Sequence, residues 1–133
     1  MAKEVKIQAT LTCQRFAPAL LCGAGNLEVD QASTNKRSST QFQTLSGTSE
    51  TEVSFGTVPL ATLGFVFIKN LNTDAKTVTV LVATGGGPTY APFAKLSAGQ
   101  FCLIPVNAII TTNSLYVKAS AASVDLLVVV AEN

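Results

Sequence analysis

The stretch SLYVKASAASVDLLVVVAEN, residues 114–133, decides the predicted fold. Apolar residues recur at every second position before Ala121, and residues 126–130 are apolar without a break. A period of two predicts β-strands, in which successive side chains point to opposite faces. The apolar run is far shorter than the roughly 20 residues that a helix needs to cross a bilayer. We therefore interpret it as a strand with one face in a core.

A tight hairpin is the simplest arrangement of this stretch, with Ala121 and Ala122 at its centre. In that register Lys118 faces Asp125, an opposite-charge pair that supports the pairing. The predicted core face consists of Leu115, Val117, Ala119, Val124, Leu126, Val128 and Val130.

The opposite face of the predicted hairpin is charged near the turn and apolar around Tyr116, Leu127 and Val129. A solvated sheet face would carry polar residues there. An apolar patch rimmed by charge indicates an interface, so we expect these three residues to contact a partner surface or another subunit. The alternative is that a long ordered connection, residues 12–26, folds over them.

The rest of the chain also reads as short strands separated by glycine-containing turns. Strands are predicted at residues 4–11, 27–33, 40–46, 50–58, 63–70, 76–84 and 100–106, followed by the hairpin over 113–131. The segment YAPFAKL, residues 90–96, adds an edge strand, because Pro92 has no N–H to donate in a central one. Without this edge segment, and with the hairpin counted once, there are about eight strands, the number in a jelly roll. We predict an all-β fold, a single and mostly antiparallel jelly-roll-like β-sandwich domain over residues 1–133, with most phenylalanines in its core.

The charge composition excludes some partners. Only 13% of the residues are charged, against a usual ~25%. Either the surface is weakly charged or it is built to contact partners. The net charge is +1, and Lys36-Arg37 is the only adjacent basic pair, so no basic stripe for nucleic acid is present. The start, MAKEVKIQATL, lacks the apolar segment of a signal peptide, so we expect a soluble protein that is made in a cytoplasm, with no membrane partner.

The residue types also argue against an enzyme. The chain has no histidine, which removes Ser-His and Cys-His nucleophiles. Glu50 and Glu52 could form a pair of carboxylates, but no tryptophan or tyrosine lies near them in sequence to hold a sugar. TGGGPTY, residues 84–90, lacks the Lys-Ser/Thr ending of a phosphate loop. We therefore expect no catalytic residues, no cofactor and no metal site.

Three segments resemble small virion structural proteins of tailed bacteriophages. They are LGFVFIKNLNT (63–73), FAKLSAGQFCLIPV (93–106) and the C-terminal stretch quoted above. The resemblance covers about residues 60–133 and rests on fold-forming segments. It implies a β-sandwich located in the virion, where it would bind and stabilise a shell as a capsid decoration or auxiliary protein. The implied partners are further copies of the chain and a major capsid protein, with no cofactor.

A second class of function stays open beside this one, a small binding module for a glycan or cell surface in a phage appendage. Such sites usually expose aromatic platforms. The chain has no tryptophan and only two tyrosines, Tyr90 and Tyr116, which makes a glycan a less favoured partner than a protein.

The three cysteines, Cys13, Cys22 and Cys102, are an odd number without a C-x-x-C pair, and we interpret them as buried free thiols. We therefore expect that adding a reductant leaves the melting temperature of the purified protein unchanged in differential scanning calorimetry. A fall of many degrees would contradict this, because it would show that a disulfide stabilises the fold or its assembly.

Overall fold

The computed structural model describes residues 5–13, 20–29, 38–84, 89–105 and 114–132, with only the backbone described for the first two ranges. The chain divides into two compact units, residues 1–36 and residues 37–132. The sandwich lies in the second unit, whereas one sandwich over residues 1–133 was predicted.

The first unit contains an antiparallel pair of strands, β1 (Val5–Cys13) and β2 (Leu20–Val29). The predicted connection over residues 12–26 is therefore wrong where it is described, because residues 12–13 and 20–26 lie in strands; residues 14–19 are outside the described ranges. The strand predicted at 27–33 begins earlier, at Leu20. The glycines that indicated a turn instead accompany a shift in register, which falls between Ala9–Gly25 and Leu11–Cys22.

The described part of the second unit contains eight strands, and their positions follow most of the predicted ones. They are β3 (Ser38–Leu45), β4 (Thr51–Glu52), β5 (Leu63–Asn70), β6 (Val78–Ala83), β7 (Tyr90–Leu96), β8 (Phe101–Pro105), β9 (Leu115–Ala119) and β10 (Val124–Glu132). A single 3₁₀ turn, Leu60–Thr62, precedes β5.

The eight strands pair into two four-stranded antiparallel sheets. The first sheet has the order β3-β10-β5-β8 and the second has the order β4-β9-β6-β7. The chain changes sheets at every connection except the one between β6 and β7, which gives the strand order of a jelly roll. The prediction of an all-β, antiparallel sandwich with jelly-roll-like topology is confirmed.

The predicted C-terminal hairpin is wrong, because β9 and β10 belong to different sheets. β9 pairs with β4 and β6, whereas β10 pairs with β3 and β5. The chain turns between the two sheets through Ser123, which has a positive φ of 60°. Lys118 consequently meets Glu50 and not Asp125, with 2.7 Å between Nζ and Oε1.

The side chains predicted for the core are nonetheless all buried. Those of β9 and β10 point toward each other from opposite sheets and do not lie side by side in one sheet. These residues are Leu115, Val117, Ala119, Val124, Leu126, Val128 and Val130, each at most 2% exposed. The period of two assigned the faces correctly, but it carries no information on which strand lies beside which.

The strand predicted at residues 50–58 is shorter, since β4 covers only Thr51 and Glu52. The Val53 N–H still donates to the Leu115 carbonyl on β9 at 2.9 Å, and side chains of β3 also hold the chain after β4. Gln43 donates from Nε2 to the Glu52 carbonyl at 2.8 Å and accepts from the Ser54 N–H at 3.1 Å. The Ser54 hydroxyl donates to Oε1 of Gln41 at 2.7 Å. These bonds hold residues 52–54 against β3, an edge strand of the first sheet.

The predicted edge strand over residues 90–96 is confirmed, since β7 is the outermost strand of the second sheet. The register shifts so that Val80 faces Ala94 and Leu81 faces Pro92, which leaves Phe93 as the extra residue of a bulge. An edge strand and a bulge are two of the places where a sheet tolerates proline.

Asn70, at the end of β5, connects the two sheets through its fully buried amide. Its Nδ2 donates to the carbonyls of Lys76 (3.0 Å) and Leu96 (3.2 Å), and its Oδ1 accepts from the N–H of Asn72 at 3.1 Å. Leu96 ends β7 and Lys76 precedes β6, so a residue of the first sheet supports two segments of the second.

We expect Asn70→Ala to lower the free energy of unfolding by roughly 2 kcal/mol or more, because it leaves buried carbonyls without their donor. Asn70→Asp keeps the acceptor but loses the amide donor and should also destabilise the protein. Urea denaturation measures both, with Thr73→Ala in the exposed turn nearby as the control. A loss for Asn70→Ala no larger than that of the control would contradict this role.

Candidate functional site

The outward side of the first sheet carries apolar residues where a solvated face would be polar. One row across all four strands runs from Phe42 to Leu127, Lys69 and Phe101. The adjacent row contains Thr40, Val129, Phe67 and Leu103. We name the six apolar members of these rows the outer apolar face: Phe42, Phe67, Phe101, Leu103, Leu127 and Val129.

The outer apolar face is open to solvent at its two edge strands. Phe42 on β3 is 78% exposed and Phe101 on β8 is 52% exposed. Between them Leu127, Val129 and Phe67 are half-buried, and the Phe67 ring stacks on Phe101 with 5.3 Å between ring centroids. Contiguous exposed apolar area is a feature that interaction surfaces often have.

Two opposite charges lie on the same side of this sheet. Lys69 is half-buried in the row between Leu127 and Phe101, and it has no ion-pair partner within the described part of the chain. Asp125 is exposed, two residues before Leu127 on β10, and its Oδ1 accepts from the Thr44 hydroxyl at 2.6 Å. The surface is therefore apolar at its centre, with one cation and one anion beside Leu127.

Tyr116 does not lie on this surface, which corrects the prediction of one shared patch. It projects from β9 on the outward side of the second sheet, whereas Leu127 and Val129 project from β10 on the outward side of the first. Because β9 and β10 are not paired, equal spacing along the two strands does not bring these side chains together. Two of the three predicted residues are adjacent, and the third is on the other sheet.

Tyr116 has its own aromatic neighbour on the second sheet. Its ring contacts Tyr90 with 4.8 Å between centroids and a tilt of 56°. The negative charge of Glu52, its neighbour across the strand pair, is the main cause that raises the pKa of Tyr116, so the hydroxyl remains a hydrogen-bond donor at neutral pH. The exposed side chain of Phe93 lies on β7, the strand that also carries Tyr90.

The carboxylates near this surface do not form an acid–base pair. Glu50 accepts a hydrogen bond from Lys118, which holds the pKa of that carboxyl below its ordinary value. Glu52 lies next to Tyr116 and is exposed. Among the described residues, no three acidic or cysteine side chains converge on a point where a metal ion could bind.

Sequence reasoning missed four members of the outer apolar face, Phe42, Phe67, Phe101 and Leu103. The prediction of a phenylalanine-rich core is wrong for Phe42, Phe93 and Phe101, which are exposed. The alternation of inward and outward side chains along β5 could have identified Phe67 as outward-facing. In β5 the fully buried Val66 and Ile68 flank Phe67, so the phenylalanine has to point away from them.

Comparisons with known proteins give no relative from which a function could be transferred. No protein-family model, curated protein sequence or solved structure matches the chain. Within the described ranges there is also no helix long and apolar enough to cross a membrane.

Cys102 on β8 is a free thiol that is packed against the core, next to the exposed Phe101. Burial raises the pKa of this thiol from 9.0 to about 11, which outweighs a lowering by a backbone hydrogen bond at Ile68. The folded protein therefore favours the neutral thiol over the thiolate.

This stabilising contribution is complete below about pH 9 and is lost as the pH rises toward about 11. We expect the free energy of unfolding to fall more steeply between these pH values for the parent than for Cys102→Ala, as measured by urea denaturation. Equal pH dependence of the two proteins would contradict the burial of this thiol.

Proposed function

We propose that this protein is a non-enzymatic structural protein of a tailed-bacteriophage virion, a decoration or auxiliary protein that binds and stabilises the capsid. The observation that carries the proposal is the outer apolar face, which supplies a surface for protein contacts. It includes Leu127 and Val129, two of the three residues for which the sequence predicted an interface; the third, Tyr116, lies on the other sheet.

The composition and the resemblance in residues 60–133 support the same role. A chain with 13% charged residues and no histidine has few of the side chains that hydrolases and transferases use as general acids and bases. A jelly roll can present large surfaces to neighbours, and capsid domains are among the proteins built on it. The fold by itself does not assign a function, so the proposal depends on the surface and on the resemblance.

A direct experiment is to raise an antibody against the recombinant protein and apply it to purified tailed particles from the source of this chain. Immunogold labelling of the heads is the expected result, with pre-immune serum as the control. Labelling confined to tails or fibres would contradict the decoration role, and absence of the protein from particles would contradict any virion role.

The contribution of the outer apolar face can be tested with Leu127→Thr combined with Val129→Thr. Threonine suits strands, so the fold should survive, whereas the apolar contact is lost. We expect affinity for particles lacking the protein to fall at least roughly tenfold in a co-sedimentation assay, which corresponds to about 1.4 kcal/mol.

Phe93→Thr removes a comparable exposed apolar group from the second sheet and serves as the matched control. Unchanged particle binding by the folded double variant would contradict a role for this face. Failure of the double variant to fold as a monomer would show that Leu127 and Val129 belong to the core.

The second candidate is a glycan-binding module, and the Tyr90–Tyr116 pair favours it. Two tyrosine rings beside an exposed phenylalanine could offer apolar faces to a sugar ring, and lectin domains also use jelly rolls. Glycan-array binding that is lost in Tyr116→Ala, with no particle association, would favour this candidate over the decoration role.

A further inference from the structure

The position of Lys69 indicates what kind of surface covers the outer apolar face. Its ammonium group belongs to a half-buried side chain that has Leu127 on one side and Phe101 on the other. The described part of the chain gives it no counter-ion. An occupant that covered these apolar neighbours would remove water from the cation, which costs free energy unless the occupant brings a carboxylate.

Asp125 supplies a carboxylate on the same face. Lys69 on β5 pairs directly with Leu127 on β10. Asp125 lies two residues before Leu127 on β10, so it is diagonal to Lys69 across the strand pair. Such diagonal positions are roughly 7–8 Å apart, within reach of a long side chain, but the structure pairs Asp125 with Thr44 and forms no ion pair between Asp125 and Lys69. The Thr44 hydroxyl fixes the carboxylate on the outward side, and Asp125 remains exposed.

These two charges are arranged so that the face complements itself. In a contact between identical surfaces related by a two-fold axis, residue i of one copy meets residue j of the other, and the reverse. A two-fold axis that is parallel to the sheet, and that crosses the line between Lys69 and Asp125 at its midpoint and at a right angle, brings each lysine opposite the aspartate of the other copy. Leu127 adjoins both residues, so it lies near the axis and meets its own counterpart.

We propose that the outer apolar face binds the same face of a second copy of this chain, with Lys69 of each copy paired to Asp125 of the other. In this contact the Leu127 side chains of the two copies lie between two reciprocal ion pairs. A second copy of the outer apolar face therefore has what an occupant of this face needs, namely apolar area, a cation and a carboxylate. This inference rests on the proposed assembly role, because it names the partner of the surface on which that role is based.

Charge reversal tests the pairing on the isolated protein by sedimentation velocity and native mass spectrometry. The parent should form a dimer, or an even-numbered oligomer that contains this contact. Lys69→Glu and Asp125→Lys each create two like-charge contacts across the axis. We expect each to weaken self-association at least tenfold.

The decisive measurements recombine the charges. The double variant Lys69→Glu/Asp125→Lys restores both opposite-charge pairs and should dimerise again. An equimolar mixture of the two single variants should form heterodimers, because each copy then carries the charges that the other needs. Lys95→Glu makes the same charge change on β7 of the second sheet, where the side chain is exposed, and should self-associate like the parent.

Circular dichroism and thermal unfolding establish that each variant is folded. Lys69→Gln and Asp125→Asn replace any reversed variant that unfolds, and each should weaken self-association by removing both ion pairs. Two results for the parent would overturn the proposal. One is a monomer at about 0.1 mM, a concentration at which even a weak dimer would form. The other is a trimer as the only oligomer. The proposal would also be overturned by single variants that self-associate normally, or by single variants that neither the double variant nor the mixture rescues.

Particle binding is a separate readout and keeps the two proposals distinguishable. If the charge exchange restores dimers but the dimers do not bind particles, the decoration role fails and the two-fold contact stands. If monomers bind particles, the decoration role stands and the two-fold contact fails.

Discussion

The packing of β9 against β10 across the sandwich is the interaction on which the rest of the second unit depends. Each is an inner strand of its sheet, and each contributes an unbroken row of buried aliphatic side chains. Because a strand must bury its apolar face against another layer, the two sheets close on each other along this line. The short connection through Ser123 makes the contact local in sequence, although it joins different sheets. The remaining strands add to either side of this central pair.

Polar side chains hold the parts of the sandwich that strand pairing leaves open. Gln41 and Gln43 bond the segment after β4 to the edge strand β3, and Asn70 bonds the ends of the second sheet to β5. Gly56 belongs to the same edge. It has a positive φ, and a Cβ there would collide with the Ser39 and Gln41 side chains. The amides therefore stabilise the architecture. Gln43 and Asn70 satisfy backbone groups that would otherwise lose hydrogen bonds, and Gln41 bonds the hydroxyl groups of Ser39 and Ser54.

The outward sides of the two sheets differ in chemistry, and each of the two candidate functions depends on one of them. The first sheet presents aliphatic and phenylalanine side chains with two unlike charges beside Leu127. The second sheet carries the Glu50–Lys118 ion pair and two tyrosines in contact. A surface of the first kind suits protein contacts, in which an apolar centre is surrounded by polar groups. On a surface of the second kind, the aromatic rings are the feature that a sugar would use.

The sequence by itself determined the fold class, most strand positions and the inward or outward direction of the side chains in β9 and β10. Those properties depend on the local period of two, so they can be predicted without knowing any neighbour. It also indicated that Leu127 and Val129 face away from the core. Only the tertiary structure decided that β9 and β10 lie in opposite sheets, because alternation is the same for a lateral neighbour and a facing one. Because β9 is in the second sheet, Tyr116 lies on the outward side of that sheet and not beside Leu127. The tertiary structure also brought Phe42, Lys69 and Phe101, which are far apart in the chain, into one row with Leu127, since strand order is set by long-range pairing that no single segment encodes.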